Sequence, residues 1–327
     1  MREAHEPSIN QAAYFGKCAA AQYHLTLRSI AIQNLYTHHD HQCSMVFDLS
    51  RLEDLTCLNS TGGIGDDGAT AFMDPGWRQP NKAEPTRLRT LRIDKVSRQQ
   101  CEFLAHINGL ERLYLIGPHI QASYGGKGHF DGATILPRSP PSSTGSPSSV
   151  DNNNIVALKE DYLEAITKHH GRTLKHLLLL PQWRLTDDEI ALIVRQCPHL
   201  EQLGIGVELT NFQRLRLLVP FLSHLTVIRL LGSPNDLTFV STMRDMDEKG
   251  VHEEKIGEET VNNEWSRLRY MELGADDMIF EVGKRELTEQ ADGRGASGKP
   301  VYRRSVKRTQ WESIKDIDIW KMDSMEL

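Results

Sequence analysis

Aliphatic residues recur along the chain in a short pattern: one aliphatic residue, two variable positions, a second aliphatic, one variable position and a third. Two aliphatic residues flanking one variable position are typical of a β-strand, because side chains alternate between its two faces. The pattern occurs nine times, at Leu27-Ile30-Ile32, Leu52-Leu55-Cys57, Leu88-Leu91-Ile93, Leu110-Leu113-Leu115, Leu174-Leu177-Leu179, Leu200-Leu203-Ile205, Leu225-Ile228-Leu230, Leu268-Met271-Leu273 and Ile314-Ile317-Ile319. These aliphatic triplets predict nine short strands.

The spacing of the triplets is that of a repeat. At four of the eight steps, the first residues of successive triplets are 25, 22, 26 and 25 residues apart. Units of roughly 20–29 residues, each a strand with a connecting segment, stack into a one-dimensional array. The other steps are longer, and each contains a stretch that we interpret as an insertion.

Helical spacing replaces the strand pattern between triplets. It is clearest where Ile190, Ile193, Val194 and Cys197 lie at i, i+3, i+4 and i+7. Thr186 is the predicted N-cap, because three acidic residues follow it in the first turn, where the helix dipole favours negative charge. Further helices are predicted at 8–22, 98–107, 159–169 and 211–222.

Strands that alternate with helices at this period predict an α/β fold. We expect an irregular leucine-rich-repeat solenoid, or horseshoe, with parallel strands on the concave face and helices on the convex face. Residues 1–327 are expected to form a single leucine-rich-repeat domain. It is interrupted by a disordered Ser/Pro/Gly-rich insertion at 119–157, an acidic insertion at 234–264, read as a solvated loop, and a flexible loop at 285–300.

Two segments resemble a known family. The phrase CPHLEQLGI, from Cys197 to Ile205, resembles the cysteine-containing leucine-rich repeats of F-box proteins, and the segment from Val301 to Met325 is similar to the closing segment of fungal F-box-type proteins. In that family the repeats hold a substrate while an F-box docks onto a Skp–cullin ubiquitin ligase. No F-box is found in this chain, so the resemblance implies a Skp-type adaptor and a cullin ligase as partners if an F-box is supplied elsewhere. The ninth repeat position, normally Asn or Cys, is neither in any of the nine units.

Composition and charge exclude several classes of function. Hydrophobic residues make up 39% of the chain and charged residues 25%, which is typical of a soluble folded protein. The formal net charge of −6 gives no attraction to nucleic acid or to anionic membranes, so neither is an expected partner. The five cysteines are scattered, and the chain opens without an apolar signal stretch, which indicates reduced thiols in the cytoplasm and/or nucleus. Cys57 and Cys197 are read as small buried hydrophobes rather than nucleophiles.

A glycine pattern at Gly63, Gly65 and Gly68 matches a dinucleotide-binding fingerprint, but its context does not. Pro75 follows before a full helix can form, and Asp66 would bring negative charge towards a pyrophosphate. We therefore interpret this segment as a loop and expect no cofactor.

Four soft metal ligands, His38, His39, His41 and Cys43, lie within six residues. Side chains so close in sequence rarely converge on one tetrahedral ion, and no second pair stands at zinc-finger spacing. An exposed loop is the favoured interpretation, and no metal is expected.

The residues beside the aliphatic positions of each strand point to the opposite face of the sheet, which would be the concave surface. On it we expect the partner-binding residues Arg92, Arg112, Tyr114, Ile116, His176, Leu178, Gln202, Arg229, Tyr270, Glu272 and Trp320. Aromatic residues and arginines among aliphatic ones are typical of interface hot spots, so a protein or peptide ligand is expected. The alternative is that another part of the chain, such as the insertion before Leu158, folds over this face and makes it internal.

The leading functional hypothesis is a non-catalytic protein–protein recognition module, the substrate-binding part of an F-box-type ubiquitin ligase adaptor. Metalloprotease HExxH, phosphate-binding GxxxxGK[ST] and nucleophile-elbow GxSxG motifs do not occur in the chain. The alternative is a GTPase-activating or other regulatory leucine-rich-repeat protein, in which an exposed arginine stabilises phosphoryl-transfer charge. A plain scaffold is the remaining possibility.

Overall fold

The computed structural model describes residues 9–33, 35–36, 46–58, 86–94, 96–116, 150–207, 221–232, 251–261, 267–274, 278–287 and 302–323. The strands in this part of the chain are β1 Ile9–Asn10, β2 Ser29–Gln33, β3 Leu35–Tyr36, β4 Asp54–Leu58, β5 Thr90–Ile93, β6 Arg112–Leu115, β7 His176–Leu178, β8 Arg184–Leu185, β9 Gln202–Val207, β10 Val227–Leu231, β11 Tyr270–Gly274, β12 Ile279–Leu287 and β13 Tyr302–Arg308. The α-helices are α1 Gln11–Ala20, α2 Arg98–His106, α3 Val150–His169, α4 Asp187–Gln196, α5 Val251–Glu259 and α6 Asp318–Lys321. Within these ranges, none of the helices is both long enough and apolar enough to span a membrane.

The fold is mixed α/β, with one large and mostly parallel sheet that does not close. Strands β2, β4, β5, β6, β7, β9, β10 and β11 lie side by side in chain order, with β8 paired to β9. Strands β12 and β13 continue the sheet antiparallel, while β1 and β3 form a separate pair. Eight of the nine triplets fall in or beside the parallel strands, so these eight strand predictions are confirmed. Their second residues stand in one register: Ile30, Leu55, Leu91, Leu113, Leu177, Leu203, Ile228 and Met271.

The same hydrogen-bond arrangement joins each of these parallel strands to the next. Just before one strand, a backbone carbonyl accepts two N–H groups from the residues that open the following strand. The accepting carbonyls belong to Arg28, Glu53, Arg89, Glu111, Lys175, Glu201 and Thr226. Seven junctions of identical geometry are the structural counterpart of the sequence repeat, although the intervals between them range widely in length.

The aliphatic triplet positions point to one side of the sheet, where α2, α3, α4 and α5 pack, and this side is hereafter the helix face. The main hydrophobic core lies here and combines the triplets with residues such as Phe103, Ile166 and Ile256. In α4 the predicted Thr186 cap is confirmed: Thr186 and Glu189 form a capping box at the start of the helix. The apolar residues of α4 are buried in the core, as its spacing predicts.

The described cysteines, Cys18, Cys57, Cys101 and Cys197, are free thiols. Cys57 and Cys197 are fully buried in the main core, which confirms their interpretation as small hydrophobes. Burial raises the pKa of Cys197 to about 12, so this thiol is not a nucleophile near neutral pH. Cys43, with the neighbouring histidines, lies outside the described residues, as does the glycine pattern from Gly63 to Gly68.

The predicted helices at 8–22, 98–107 and 159–169 are present, and α3 begins nine residues earlier than expected, at Val150. The insertion predicted at 119–157 therefore ends in helix from 150 onwards, and its remainder lies outside the described residues. The acidic insertion at 234–264 contains α5, whose Ile256 is buried, so this part is packed helix and not a solvated loop. Of the loop predicted at 285–300, the first three residues belong to β12. The helix predicted at 211–222 lies mostly outside the described part.

The ninth triplet, Ile314-Ile317-Ile319, is not a strand, and this prediction is wrong. After β13, residues 309–323 turn back across the sheet as a 3-10 turn at Trp311–Ser313 and helix α6. The hairpin of β12 and β13 ends the parallel array, so no further strand position follows the repeat. The chain turns at Ile314 and again at Ile317, so that Ile314 and Ile319 are both buried without a strand. Residues 309–323 are hereafter the tail.

A buried histidine joins the end of α3 to the connection between α2 and β6. His170 is 1% exposed; its Nδ1 accepts a hydrogen bond from the Leu110 amide at 3.3 Å, and its Nε2 lies 3.0 Å from the Leu104 carbonyl oxygen. Burial lowers the pKa of His170 to about 4. The ring is therefore neutral in the folded protein at neutral pH, with Nε2 as the donor.

This histidine is expected to make the folded state lose stability in mild acid. The unfolded chain takes up a proton near pH 6.5, whereas the folded chain resists it until about pH 4. The contribution of neutral His170 is complete above pH 6.5 and is lost as the pH falls towards 4, by about 3 kcal/mol. Urea unfolding from pH 7 to 4 should show a flatter profile for His170→Gln than for the wild type or the exposed-site control His24→Gln. Parallel profiles for all three proteins would contradict the lowered pKa of His170.

Candidate partner-recognition face

The face of the sheet opposite the main core carries ordered rows of side chains, and it is hereafter the tail face. One row across the parallel strands consists of Ser29, Asp54, Thr90, Arg112, His176, Gln202, Val227 and Tyr270. The next consists of Ala31, Thr56, Arg92, Tyr114, Leu178, Gly204, Arg229 and Glu272. Nine of the eleven partner-binding residues expected from the sequence lie in these two rows, and Ile116 directly follows β6.

Trp320, the remaining expected residue, does not belong to the sheet; it packs onto this face from the segment that covers it. It belongs to α6 in the tail and not to a ninth strand. Its ring packs against the sheet, where Tyr114, Leu178, Val227, Leu231, Ile279, Ile314, Ile319 and Trp320 form a second hydrophobic cluster. Trp320 is thus a residue of the segment bound to this face and not a residue of the face itself.

The tail covers most of the expected binding residues, which corrects the expectation of an open surface. Eight of them are buried: Arg92, Tyr114, Ile116, His176, Leu178, Arg229, Glu272 and Trp320. Arg112, Gln202 and Tyr270 are partly exposed. Among the described residues, the segment that covers this face is the tail, whereas the alternative expected from the sequence was the insertion before Leu158, most of which lies outside the described residues.

Arg229 is the centre of the contact between sheet and tail, and it is 4% exposed. Its Nε donates to Glu272 Oε2 at 2.7 Å, and its Nη1 donates to Asp323 Oδ2 at 2.7 Å and to the Ile319 carbonyl oxygen at 3.0 Å. Burial by itself would lower the pKa of Arg229, but the two carboxylates outweigh this and raise it. A buried guanidinium held in this way is always charged and strongly oriented.

Trp320 fills the pocket beside this ion pair. Its indole Nε1 donates to Glu272 Oε2 at 2.5 Å, and its ring centroid lies 5.5 Å from the guanidinium carbon of Arg229. The ring also meets Tyr270 edge-to-face, with centroids 6.2 Å apart. A tryptophan that buries its ring and satisfies its N–H in this way is a typical anchor of a protein interface.

Two further side chains of the sheet bind the backbone of the tail. The Gln202 side-chain oxygen accepts from the Ile319 amide at 2.9 Å, and Arg92 Nε donates to the Met322 carbonyl oxygen at 2.8 Å. Gly204 lies between them, and a Cβ there would stand only 2.4 Å from Leu178 Cδ1 and 3.3 Å from Ile319 Cδ1. The absence of a side chain at Gly204 leaves room for the side chains of Leu178 on the sheet and Ile319 in the tail.

A polar group extends the contact towards β6. The Tyr114 hydroxyl is 2.8 Å from His176 Nδ1, which in turn is 3.5 Å from Asp318 Oδ2 in the tail. Burial lowers the pKa of His176 despite this carboxylate, and burial raises the pKa of Tyr114, so both are neutral near pH 7. Arg112 stands between Asp318 and Asp54, at 3.9 and 3.7 Å, and provides the charge opposite Asp318.

The tail leaves the β2 and β4 end of this face open. Ser29 and Ala31 on β2 are exposed, and Asp54 and Thr56 on β4 are partly exposed. These four side chains are small, and none of them is aromatic, unlike Tyr114 and Trp320 at the contact with the tail. Within the described part of the chain, this end and the partly exposed Arg112, Gln202 and Tyr270 are the accessible parts of the face with the tail in place.

Sequence reasoning missed Asp323, the second carboxylate on Arg229, and the role of Gly204. One signal was present: Arg229 stands between Ile228 and Leu230 in a strand with buried neighbours, and a buried guanidinium requires a paired carboxylate. Glu272 follows from strand register, but Asp323 requires the path of the tail, which no periodicity shows. Among the described residues, no cluster of three or more His, Cys, Asp or Glu side chains is arranged to hold a metal ion.

Comparisons with protein-family models, with curated proteins and with solved structures found no match to this chain.

Proposed function

We propose that this chain is a non-catalytic protein–protein recognition module, built as an irregular leucine-rich-repeat solenoid, that binds a partner on the tail face. The common register of eight parallel strands supports the repeat interpretation, as do the seven equivalent junctions between them. In such arrays the strand side chains of successive units form one continuous surface, which is suited to binding an extended partner.

The observation that carries the proposal is how this face holds the tail. Side chains from four different strands bind one short segment, partly through its backbone and partly through Trp320 and Asp323. Arginine and tryptophan at a desolvated centre, with partly exposed polar groups around them, are the usual composition of an interface hot spot. The face therefore has the chemistry of a peptide-binding surface.

The resemblance to F-box-type proteins specifies the proposal further. The module would be the substrate-binding part of a ubiquitin ligase adaptor in the cytoplasm or nucleus, with a Skp-type adaptor joined through an F-box on another chain or segment. The free thiols of the described cysteines are consistent with a reducing compartment. Recovery of a Skp-type adaptor with the chain supports this branch, and partner binding without one supports a plain scaffold.

A GTPase-activating role has no comparable support. It requires an arginine free to enter a nucleotide site. Arg229 is buried between two carboxylates, and Arg92 is buried with its Nε on the tail backbone. Arg112 is partly exposed but lies between the carboxylates of Asp54 and Asp318.

The open end of the tail face offers the test. Two carboxylates introduced by Ala31→Glu and Thr56→Glu, beside Asp54, should block partner approach without disturbing the main core, because neither side chain points into it. In affinity capture with the full chain, we expect at least tenfold less of a specific partner with the double variant. The control Lys168→Glu places its charge on exposed α3, on the other side of the sheet, and should capture as the wild type does. Equal capture by all three proteins would refute the proposal.

A further inference from the structure

We propose that the tail is a resident ligand of the tail face, and that the partner supplies a segment of the same chemistry. That segment is a short acidic helix with a tryptophan, one carboxylate two residues before it and another three residues after it, as in Asp318, Trp320 and Asp323. This inference rests on the proposed recognition function and names the ligand of that site.

The contact between tail and sheet is more polar than the main core. The main core is an apolar cluster, whereas the contact with the tail combines the second hydrophobic cluster with ion pairs and hydrogen bonds from Arg92, Gln202, Arg229 and Glu272. Folded interiors rarely bury this many charged groups against one short segment, whereas charged hydrogen bonds at a desolvated centre are usual between proteins. The contact therefore resembles an interface formed within one chain.

The main core does not depend on the tail. Ile314, Ile319 and Trp320 belong to the second cluster, and no residue of the tail is part of the main core. The seven junctions between the parallel strands likewise lie outside the tail. The tail can consequently leave the sheet while the helix face stays packed.

The tail is also an element whose order depends on being bound. Helix α6 has only four residues, too few to form a stable helix alone in water. Segments of this kind open at lower free energy than core strands, and they fold as they bind. A competing segment thus needs to displace one short element, joined to the sheet through β13.

The charges of the site select the occupant. Arg92, Arg112 and Arg229 face the tail, and the tail presents Asp318 to Arg112 and Asp323 to Arg229. Glu272 is already paired with Arg229 and needs a further donor, which the indole N–H provides. A basic segment, or one without the tryptophan, leaves these buried groups unsatisfied and is rejected.

The test uses a fluorescent peptide of residues 310–323 added to the full chain. In the wild-type chain the tail competes with the peptide, so the apparent affinity is reduced by the fraction of chains whose face is free. The chain variant Trp320→Ala weakens its own tail and should bind the peptide at least tenfold more tightly than the wild-type chain. A peptide carrying Trp320→Ala, and a chain combining Trp320→Ala with Arg229→Met, should each lose this binding.

Far-UV circular dichroism checks that Trp320→Ala remains folded; if it does not, Asp323→Asn, which keeps the tryptophan, takes its place. A folded tail variant that leaves the peptide unbound overturns the inference. The recognition proposal then still stands if Ala31→Glu with Thr56→Glu abolishes partner capture. Peptide binding that depends on Arg229 and Trp320, and that competes with the captured partner, supports both proposals.

Discussion

Replacing Arg229 by methionine should release the tail from the sheet. Methionine keeps much of the length of the side chain but removes the guanidinium that pairs with both Glu272 and Asp323. Removing one partner of a buried ion pair costs about 3–5 kcal/mol, because the remaining charge is buried without compensation. The docked tail should therefore become the minor state, with Glu272 solvated once the tail has left.

Hydrogen exchange measured by mass spectrometry on residues 310–323 reports this release directly. Protection of this segment should fall by at least 100-fold in Arg229→Met, while strands β5 to β9 keep theirs. The control Arg112→Met also removes a strand arginine that faces Asp318, but the Arg112 side chain is 39% exposed and its contacts are longer. Such pairs contribute about 0–1 kcal/mol, so the control should change protection little. An undisturbed tail in Arg229→Met would show that the ion pairs do not hold it.

Leu110→Ala should be among the most destabilising substitutions in the main core. Leu110 is fully buried at the first position of its triplet, and its replacement leaves a cavity between the sheet and the helices. Leucine-to-alanine changes at such sites cost about 2–5 kcal/mol. The free energy of urea unfolding should decrease by this amount with an unchanged denaturant slope.

Leu27→Ala is the matched control, since Leu27 holds the same position of the first triplet. Its side chain is 42% exposed, and the residue precedes β2 at the edge of the parallel array. No preceding repeat is described that would cover it, so the substitution should change stability by less than about 1 kcal/mol. Equal losses at both positions would mean that the triplet pattern does not report burial in the main core.

Because the tail covers the centre of the tail face, the proposed partner has to compete with the tail for that site. Under the proposed recognition function, with the tail docked, a partner first meets the β2 and β4 end and the partly exposed Arg112, Gln202 and Tyr270. Full access to Arg229 and Glu272 requires displacement of Trp320 and Asp323. Under the two proposals, the tail and the partner's segment compete for one site, so weakening the contact of the tail with the sheet should increase the apparent affinity for the partner.

A second regularity was present in the sequence but becomes visible only when the triplets are aligned. The residues just before the strands alternate in charge along the sheet, as Arg28, Glu53, Arg89, Glu111, Lys175 and Glu201. Neighbours form ion pairs, with Arg28 and Glu53 at 3.9 Å, Arg89 and Glu111 at 3.5 Å, and Lys175 and Glu111 at 2.8 Å. These side chains are at least partly exposed, so each pair adds little stability. If a strand paired with the next but one in chain order, however, two like charges would lie side by side.

Local pattern was sufficient for most of the sheet and its helices. The aliphatic triplets determined which segments become strands and which side of each strand enters the core, because alternation is a property of every extended chain. The spacing and cap at Thr186 determined α4 in the same way. Even the grouping of Arg92, Arg229 and Glu272 on one face followed from this alternation once the strands were placed side by side.

Tertiary structure alone determined that the tail covers this face. The ninth triplet had the same pattern as the other eight, but the antiparallel hairpin of β12 and β13 ended the array before it and turned the tail back over the sheet. The buried charge of Arg229 could then be neutralised by a residue 94 positions away, a pairing that depends on the path of the chain and not on any local period. Periodicity specifies which side of an element is apolar; it does not specify whether the opposite side faces solvent or another part of the same molecule.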